Sequence, residues 1–148
     1  MLHLPLVLLV WVSLYSVTRS QTVSCDEKSE LRDTAQSPTF PSNKAADFTK
    51  PCLLTFVAQN DDRIKLVFPD LQKMAKNGTS CSDNYVKFAN EQAGLTSATS
   101  YCDGILPPPF VSQGNTVFIQ YKIQNSSVNS FAVQLTPSNV IVNFTLHV

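Results

Sequence analysis

The sequence lacks most of what catalytic and nucleic-acid-binding chains display. It has no cluster of basic residues to follow a phosphate backbone and no run of like charge to mark a solvated tail. It has no C-x-x-C pair, and its cysteines are spaced too far apart for the usual zinc patterns. Histidine is nearly missing: His3 lies in the apolar N-terminal segment and His147 is next to last. A Ser-His-Asp or Cys-His arrangement needs an imidazole held beside a nucleophile by a rigid scaffold, and His147 reads as a solvated tail residue. No apolar run is long enough for a membrane helix of about 20 residues. No internal repeat, linker or low-complexity segment stands out, and no segment has a convincing helical period.

The one long apolar stretch is N-terminal. Leu4 to Val12, extended by Leu14 and Tyr15, has the length of a secretory h-region, with Thr18 and Ser20 as small residues at −3 and −1 of a cut before Gln21. Residues 1–20 are therefore expected to be a signal peptide, and residues 21–148 a single domain large enough for a core. Without Arg19, the eleven cations become ten against eleven acids, so net charge points to no partner.

All four cysteines, Cys25, Cys52, Cys81 and Cys102, follow the expected cut. An even count in an exported chain predicts disulfides, with three pairings possible from sequence alone. Their oxidation would leave no thiolate nucleophile. Three N-glycosylation sequons, at Asn77, Asn125 and Asn143, agree with export. The adjacent acids Asp61-Asp62 read as turn residues and Asp26-Glu27 as solvated, so neither pair is expected to be catalytic.

What is present is alternation. Leu53 to Val57 is apolar and β-rich. Ile64, Leu66 and Phe68 alternate with Arg63, Lys65 and Val67. Tyr85 to Phe88 is a short run. Val117, Ile119 and Tyr121 form one face of the next, and Phe131, Val133 and Leu135 one face of another. Val140, Val142, Phe144 and Leu146 alternate again over a C-terminal segment, 140–148. Turn formers separate these runs: Asn60-Asp61-Asp62, Asn77-Gly78, Asp103-Gly104, Pro107 to Pro109, Gly114-Asn115 and Pro137-Ser138-Asn139. Many short strands with frequent turns predict an all-β sandwich or barrel. The one helical candidate, Leu71 to Lys76, is about one turn long.

Landmarks along residues 25–135 resemble those of the CUB domain family. A first Cys is followed by Ser37-Pro38-Thr39-Phe40-Pro41. Cys52 opens an apolar strand, Ile64 to Phe68 comes next with Leu71 three residues on, and Cys81 precedes Tyr85-Val86. Tyr101-Cys102 follows. Pro108-Pro109-Phe110-Val111-Ser112-Gln113-Gly114-Asn115 resembles the family's P-x-x-[IV]-S-x-G-N, before a strand ending in Tyr121 and another beginning at Phe131. Order and spacing together carry the resemblance. The departures are Asp103 before Gly104, Ser130 where a Gly is common, Leu53 or Leu54 where a Trp is usual, and the segment 140–148 beyond the usual end.

The resemblance implies an all-β sandwich of two antiparallel sheets with jelly-roll-like topology, and the disulfides Cys25–Cys52 and Cys81–Cys102. It implies a secreted, non-catalytic module that recognises an extracellular protein or carbohydrate and has no membrane span. Secreted proteins with one such domain resemble spermadhesins of seminal fluid and CUB proteins of arthropod venoms and salivas. A matrix component, or a modulator or inhibitor of an extracellular protease, are the alternatives. Loops from Asn90 to Ser100 and from Ile105 to Phe110 are the expected contact sites.

Many members of the family hold calcium at one end of the sandwich, through three acids. The first falls at Met74 or Lys76 here, depending on the direction of counting. The second falls at Asn84, with Asp83 one residue off, and the third at Gln124. Neutral amides and a cation supply too little negative charge for a hard cation, so no metal or other cofactor is expected.

Overall fold

The computed structural model describes residues 26–32, 34–41, 48–76, 79–124 and 129–138. Among the described residues eight strands run in chain order: β1 Glu27–Leu31, β2 Thr39–Phe40, β3 Phe48–Ala58, β4 Arg63–Asp70, β5 Tyr85–Ala89, β6 Phe110–Val111, β7 Thr116–Ile123 and β8 Phe131–Ser138. They form two four-stranded sheets, ordered β1-β3-β7-β5 and β2-β8-β4-β6. All pairings are antiparallel except β1 with β3. Among the described residues no helix is long and apolar enough to cross a membrane.

Period-two alternation dictates which face each strand buries. Ile64, Leu66 and Phe68 of β4 point inward, as do Val117, Ile119, Tyr121 and Ile123 of β7 and Phe131, Val133 and Leu135 of β8. Cys52, Leu54, Phe56 and Ala58 complete the inner row of β3. Two half-apolar sheets bury these rows only against each other, which gives the sandwich. Phe131 is the aromatic hub, with ring centroids at 5.4 Å from Phe40, 5.3 Å from Tyr121 and 6.2 Å from Phe68. Phe40 enters from β2, so the Ser37 to Pro41 motif delivers a core residue; the Phe40–Pro41 peptide is cis.

Proline marks the irregularities. Register shifts fall between Phe48 and Cys52 in β3 and between Val67 and Asp70 in β4, which contain Pro51 and Pro69. Proline has no N–H to give a ladder, so strands tolerate it where pairing is interrupted.

The expectation for Leu71 to Lys76 is corrected: this segment is a turn, closed by Met74 N–H on the Leu71 carbonyl at 3.0 Å. The short helix is instead a 3-10 turn, Gln92–Thr96, whose Leu95 is buried. Of the pair Asp26-Glu27, Asp26 is exposed as expected and its carboxylate also accepts the Leu53 N–H at 2.9 Å, while Glu27 opens β1. The expected strand in 140–148 lies outside the described residues.

Candidate recognition surface

Cys81 and Cys102 form a disulfide with Cα atoms 5.7 Å apart. In the chain-entropy picture a loop of this size contributes roughly 3 kcal/mol. Cys52 is fully buried and disulfide-bonded. Cys25 lies outside the described residues, as do Asn77, Asn125 and Asn143.

The extra residue after Cys102 has a defined role. Cys102–Ile105 is a tight turn closed by Ile105 N–H on the Cys102 carbonyl at 3.1 Å, with φ of 52° at Asp103 and 72° at Gly104. Left-handed φ at both central residues suits Asp and Gly, not larger side chains. The turn is tied back to the segment after β4 by Asp103 N–H on the Met74 carbonyl and Gly104 N–H on the Leu71 carbonyl. The Asp103 carboxylate lies 3.2 Å from the Lys76 ammonium.

The Pro108 to Asn115 motif is a structural tie. β6 pairs only two residues with β4. Ser112 then continues the pairing, donating its N–H to the Ile64 carbonyl at 2.9 Å and accepting the Ile64 N–H on Oγ at 2.7 Å. The Asn115 carbonyl accepts the Ala58 N–H at 2.7 Å. Both sheets are thus joined through one turn.

The residues at the expected cation positions do converge, but not as oxygen ligands. Met74 is a core residue. Lys76 faces Asp103. Asp83 and Asn84 lie in the bend before β5, not on a strand; Asp83 sits 4.0 Å from the Lys122 ammonium, while Asn84 turns inward and bonds the Gln124 N–H.

A groove of about 600 Å³ crosses the outer face of the first sheet. Its floor is Leu53 of β3 and Gln120 of β7, which are register partners, with Lys87 of β5 opposite Gln120 on the other side. Asp26 and Pro51 close one end, and Gln92, Leu95 and Thr96 form a wall. Gly94 brings that wall close: a Cβ there would lie 3.2 Å from the Ala89 Cβ. One carboxylate, one ammonium, two side-chain amides and a hydroxyl thus share the groove with the apolar side chains of Pro51, Leu53 and Leu95. Lys87 also lies over the Tyr85 ring, 5.5 Å from its centroid. Burial raises the Tyr85 phenol above its ordinary pKa. Sequence reading named the Asn90 to Ser100 segment but missed Asp26, Leu53, Lys87 and Gln120, because nothing local says which outward residues become neighbours. The second expected contact segment is also exposed, with Ile105 and Leu106 about half accessible.

Comparisons with known proteins agree with the fold. The family model for the CUB domain matches residues 25–135. No curated protein matches the sequence. The CUB1-EGF-CUB2 region of human MASP-1/3 is similar in structure, with TM-score 0.58 and 19% identity over 78% of this chain. The extracellular region of zebrafish Gpr126/Adgrg6 gives TM-score 0.56 and 20% identity over 80% of this chain. The MASP-1 CUB2 domain, solved bound to Ca2+, gives 0.55 and 16% over 76%. This chain spans 43%, 15% and 99% of those three chains respectively. At such identities the likeness speaks for the fold alone. CUB domains are generally extracellular protein-interaction modules, and typically non-catalytic. The family match over residues 25–135, with the two-sheet sandwich and the Cys81–Cys102 bridge, makes this chain a member of the CUB family.

Proposed function

We propose that the chain is a secreted recognition module that binds an extracellular protein through the groove on its first sheet and the neighbouring Gln92–Thr96 wall. The observation that carries this reading is the groove's composition. It offers donors, acceptors and both signs of charge beside the apolar side chains of Pro51, Leu53 and Leu95, which suits a polypeptide surface with mixed side chains. A carbohydrate is the alternative ligand, since side-chain amides and a carboxylate also match sugar hydroxyls. The matrix and protease-modulator alternatives differ only in which protein is held. A home in a venom, saliva or seminal fluid follows from the resemblance to single-CUB secreted proteins and from nothing else.

The test is affinity capture from extracellular fluid with the intact secreted protein, followed by identification of what is retained. Lys87→Glu combined with Gln120→Ala alters the groove, and a separate exchange of residues 105–110 alters the second contact segment. The groove variant is expected to lose the partner. Capture equal to wild type by the groove variant removes the reading, and loss on the 105–110 exchange alone moves recognition to that loop.

A further inference from the structure

Asn84 and Asn129 are both more than nine-tenths buried. The Asn84 Oδ1 accepts the Gln124 N–H at 2.7 Å, and its Nδ2 donates to the Ala75 carbonyl at 2.9 Å. Asn129 makes the reciprocal pair: its Oδ1 accepts the Ala75 N–H at 3.3 Å, and its Nδ2 donates to the Gln124 carbonyl at 2.6 Å. Four hydrogen bonds therefore close a ring in which two side-chain amides alternate with the backbone groups of two residues. The ring joins four separate pieces of chain: the turn after β4, the bend before β5, the end of β7 and the entry to β8.

This ring does not fit a calcium ion. A hard cation takes six to eight oxygens, several of them anionic. Here both side-chain oxygens already face N–H groups, both carbonyls already face amide NH2 groups, and no ring member is charged. The nearby acids are engaged with cations, Asp83 at 4.0 Å from Lys122 and Asp103 at 3.2 Å from Lys76. Among the described residues no three acids, histidines or cysteines are grouped to hold a metal.

We propose that the Asn84–Asn129 amide ring is a metal-free clasp, which holds this end of the sandwich by neutral hydrogen bonds in place of a bound cation. The asparagine amide is the side chain suited to it, because one group supplies both a donor and an acceptor to a peptide backbone. The ring bonds are part-buried: the two asparagines are more than nine-tenths buried while Ala75 and Gln124 are exposed, so removing an asparagine amide costs the net worth of its hydrogen bonds. The clasp also holds the two residues on either side of 125–128, so the connection from β7 to β8 leaves and returns at fixed points without an ion. The end of the module that carries the Asn125 sequon then keeps its shape irrespective of calcium.

The test is thermal unfolding of the secreted full chain, followed by circular dichroism, in excess calcium and in excess EDTA, with calcium calorimetry beside it. Wild type is expected to melt at the same temperature in both and to give no calcium-binding heat. Asn129→Ala removes two of the four ring bonds, those to the Ala75 N–H and the Gln124 carbonyl, and is expected to melt roughly 2–6 °C lower in both solutions. Asn84→Asp keeps the shape and the Gln124 bond but sets a carboxylate oxygen against the Ala75 carbonyl. Its deficit relative to wild type should shrink as pH falls and the carboxyl regains a proton to donate, a change that a loss of packing alone would not produce. A calcium-dependent rise in the wild-type melting temperature, or a micromolar calcium dissociation constant, overturns the proposal. So does an Asn129→Ala variant that melts with wild type. None of these readouts involves a partner, so they stand apart from the test of recognition.

Discussion

Ser112→Ala removes one oxygen atom from a residue only 1% exposed. Its Oγ accepts the Ile64 N–H at 2.7 Å and donates to the Gly114 carbonyl. Ile64 is fully buried in the middle of the sandwich. After the substitution its N–H has no acceptor, and water does not reach it. An orphaned buried donor costs about 1–3 kcal/mol. The Gly114 carbonyl adds little, because Gly114 is exposed and water replaces the hydroxyl. The Ser112 N–H still reaches the Ile64 carbonyl, so the turn stays in place while one rung fails. For a domain of this size the loss corresponds to a melting temperature lower by roughly 4–12 °C. Trp11 is the only tryptophan and lies in the expected signal peptide, so urea unfolding is best followed by far-UV circular dichroism. Gln113→Ala is the control: its side chain is exposed, and its contact with Asn90 runs through the backbone N–H. That control should stay within about 0.5 kcal/mol of wild type. A Ser112→Ala variant as stable as the control refutes the account of the motif as a tie between β6 and β4.

Three further outcomes are expected. Burial, and to a lesser extent the Asp26 carboxylate, push the Tyr121 phenol up to about 12. The unfolded phenol titrates near 10 and releases its proton first, so this contribution is intact below about pH 10 and is lost as pH rises towards 12, worth about 2–3 kcal/mol in all. Phenolate absorbance should show a group titrating near 12, later than the raised Tyr85 phenol, that Tyr121→Phe removes, and titration of every phenol near 10 in protein still folded would contradict it. Non-reducing peptide mapping should recover Cys25 with Cys52 beside the Cys81–Cys102 pair; Cys25 joined to either of the latter two would refute the pairing. Expression in a secretory cell should yield protein in the medium that begins at Gln21 and shifts in mass on removal of N-glycan from Asn77 or Asn125, whereas cytosolic protein that retains Met1 would refute export.

Legibility in the sequence followed length and regularity. β4, β7 and β8 each repeat an apolar residue at every second position over at least five residues, so both strand and inward face were readable. β2 and β6 contain two residues each, too few for any period to show. β1 was missed because Glu27–Leu31 is mostly polar and lies at a sheet edge, held to β3 by backbone pairing. The Gln92–Thr96 turn buries only Leu95, so it left no apolar stripe. The motif around Ser112 was recognisable by resemblance, but its task was not.

The sequence by itself determined the class of fold and which residues form the core rows, because alternation is a local property of an extended chain and needs no knowledge of the partner strand. It also carried the family, through the order of landmarks from Cys25 to Leu135. Only the tertiary structure decided who neighbours whom. Lys87, Gln120 and Leu53 share a groove floor because β5, β7 and β3 are adjacent in one sheet, and nothing local to any of the three specifies that adjacency. Ala75, Asn84, Gln124 and Asn129 close a ring for the same reason. Their hydrogen bonds span up to 54 positions, and bonds across such distances form only once the strands between them have packed.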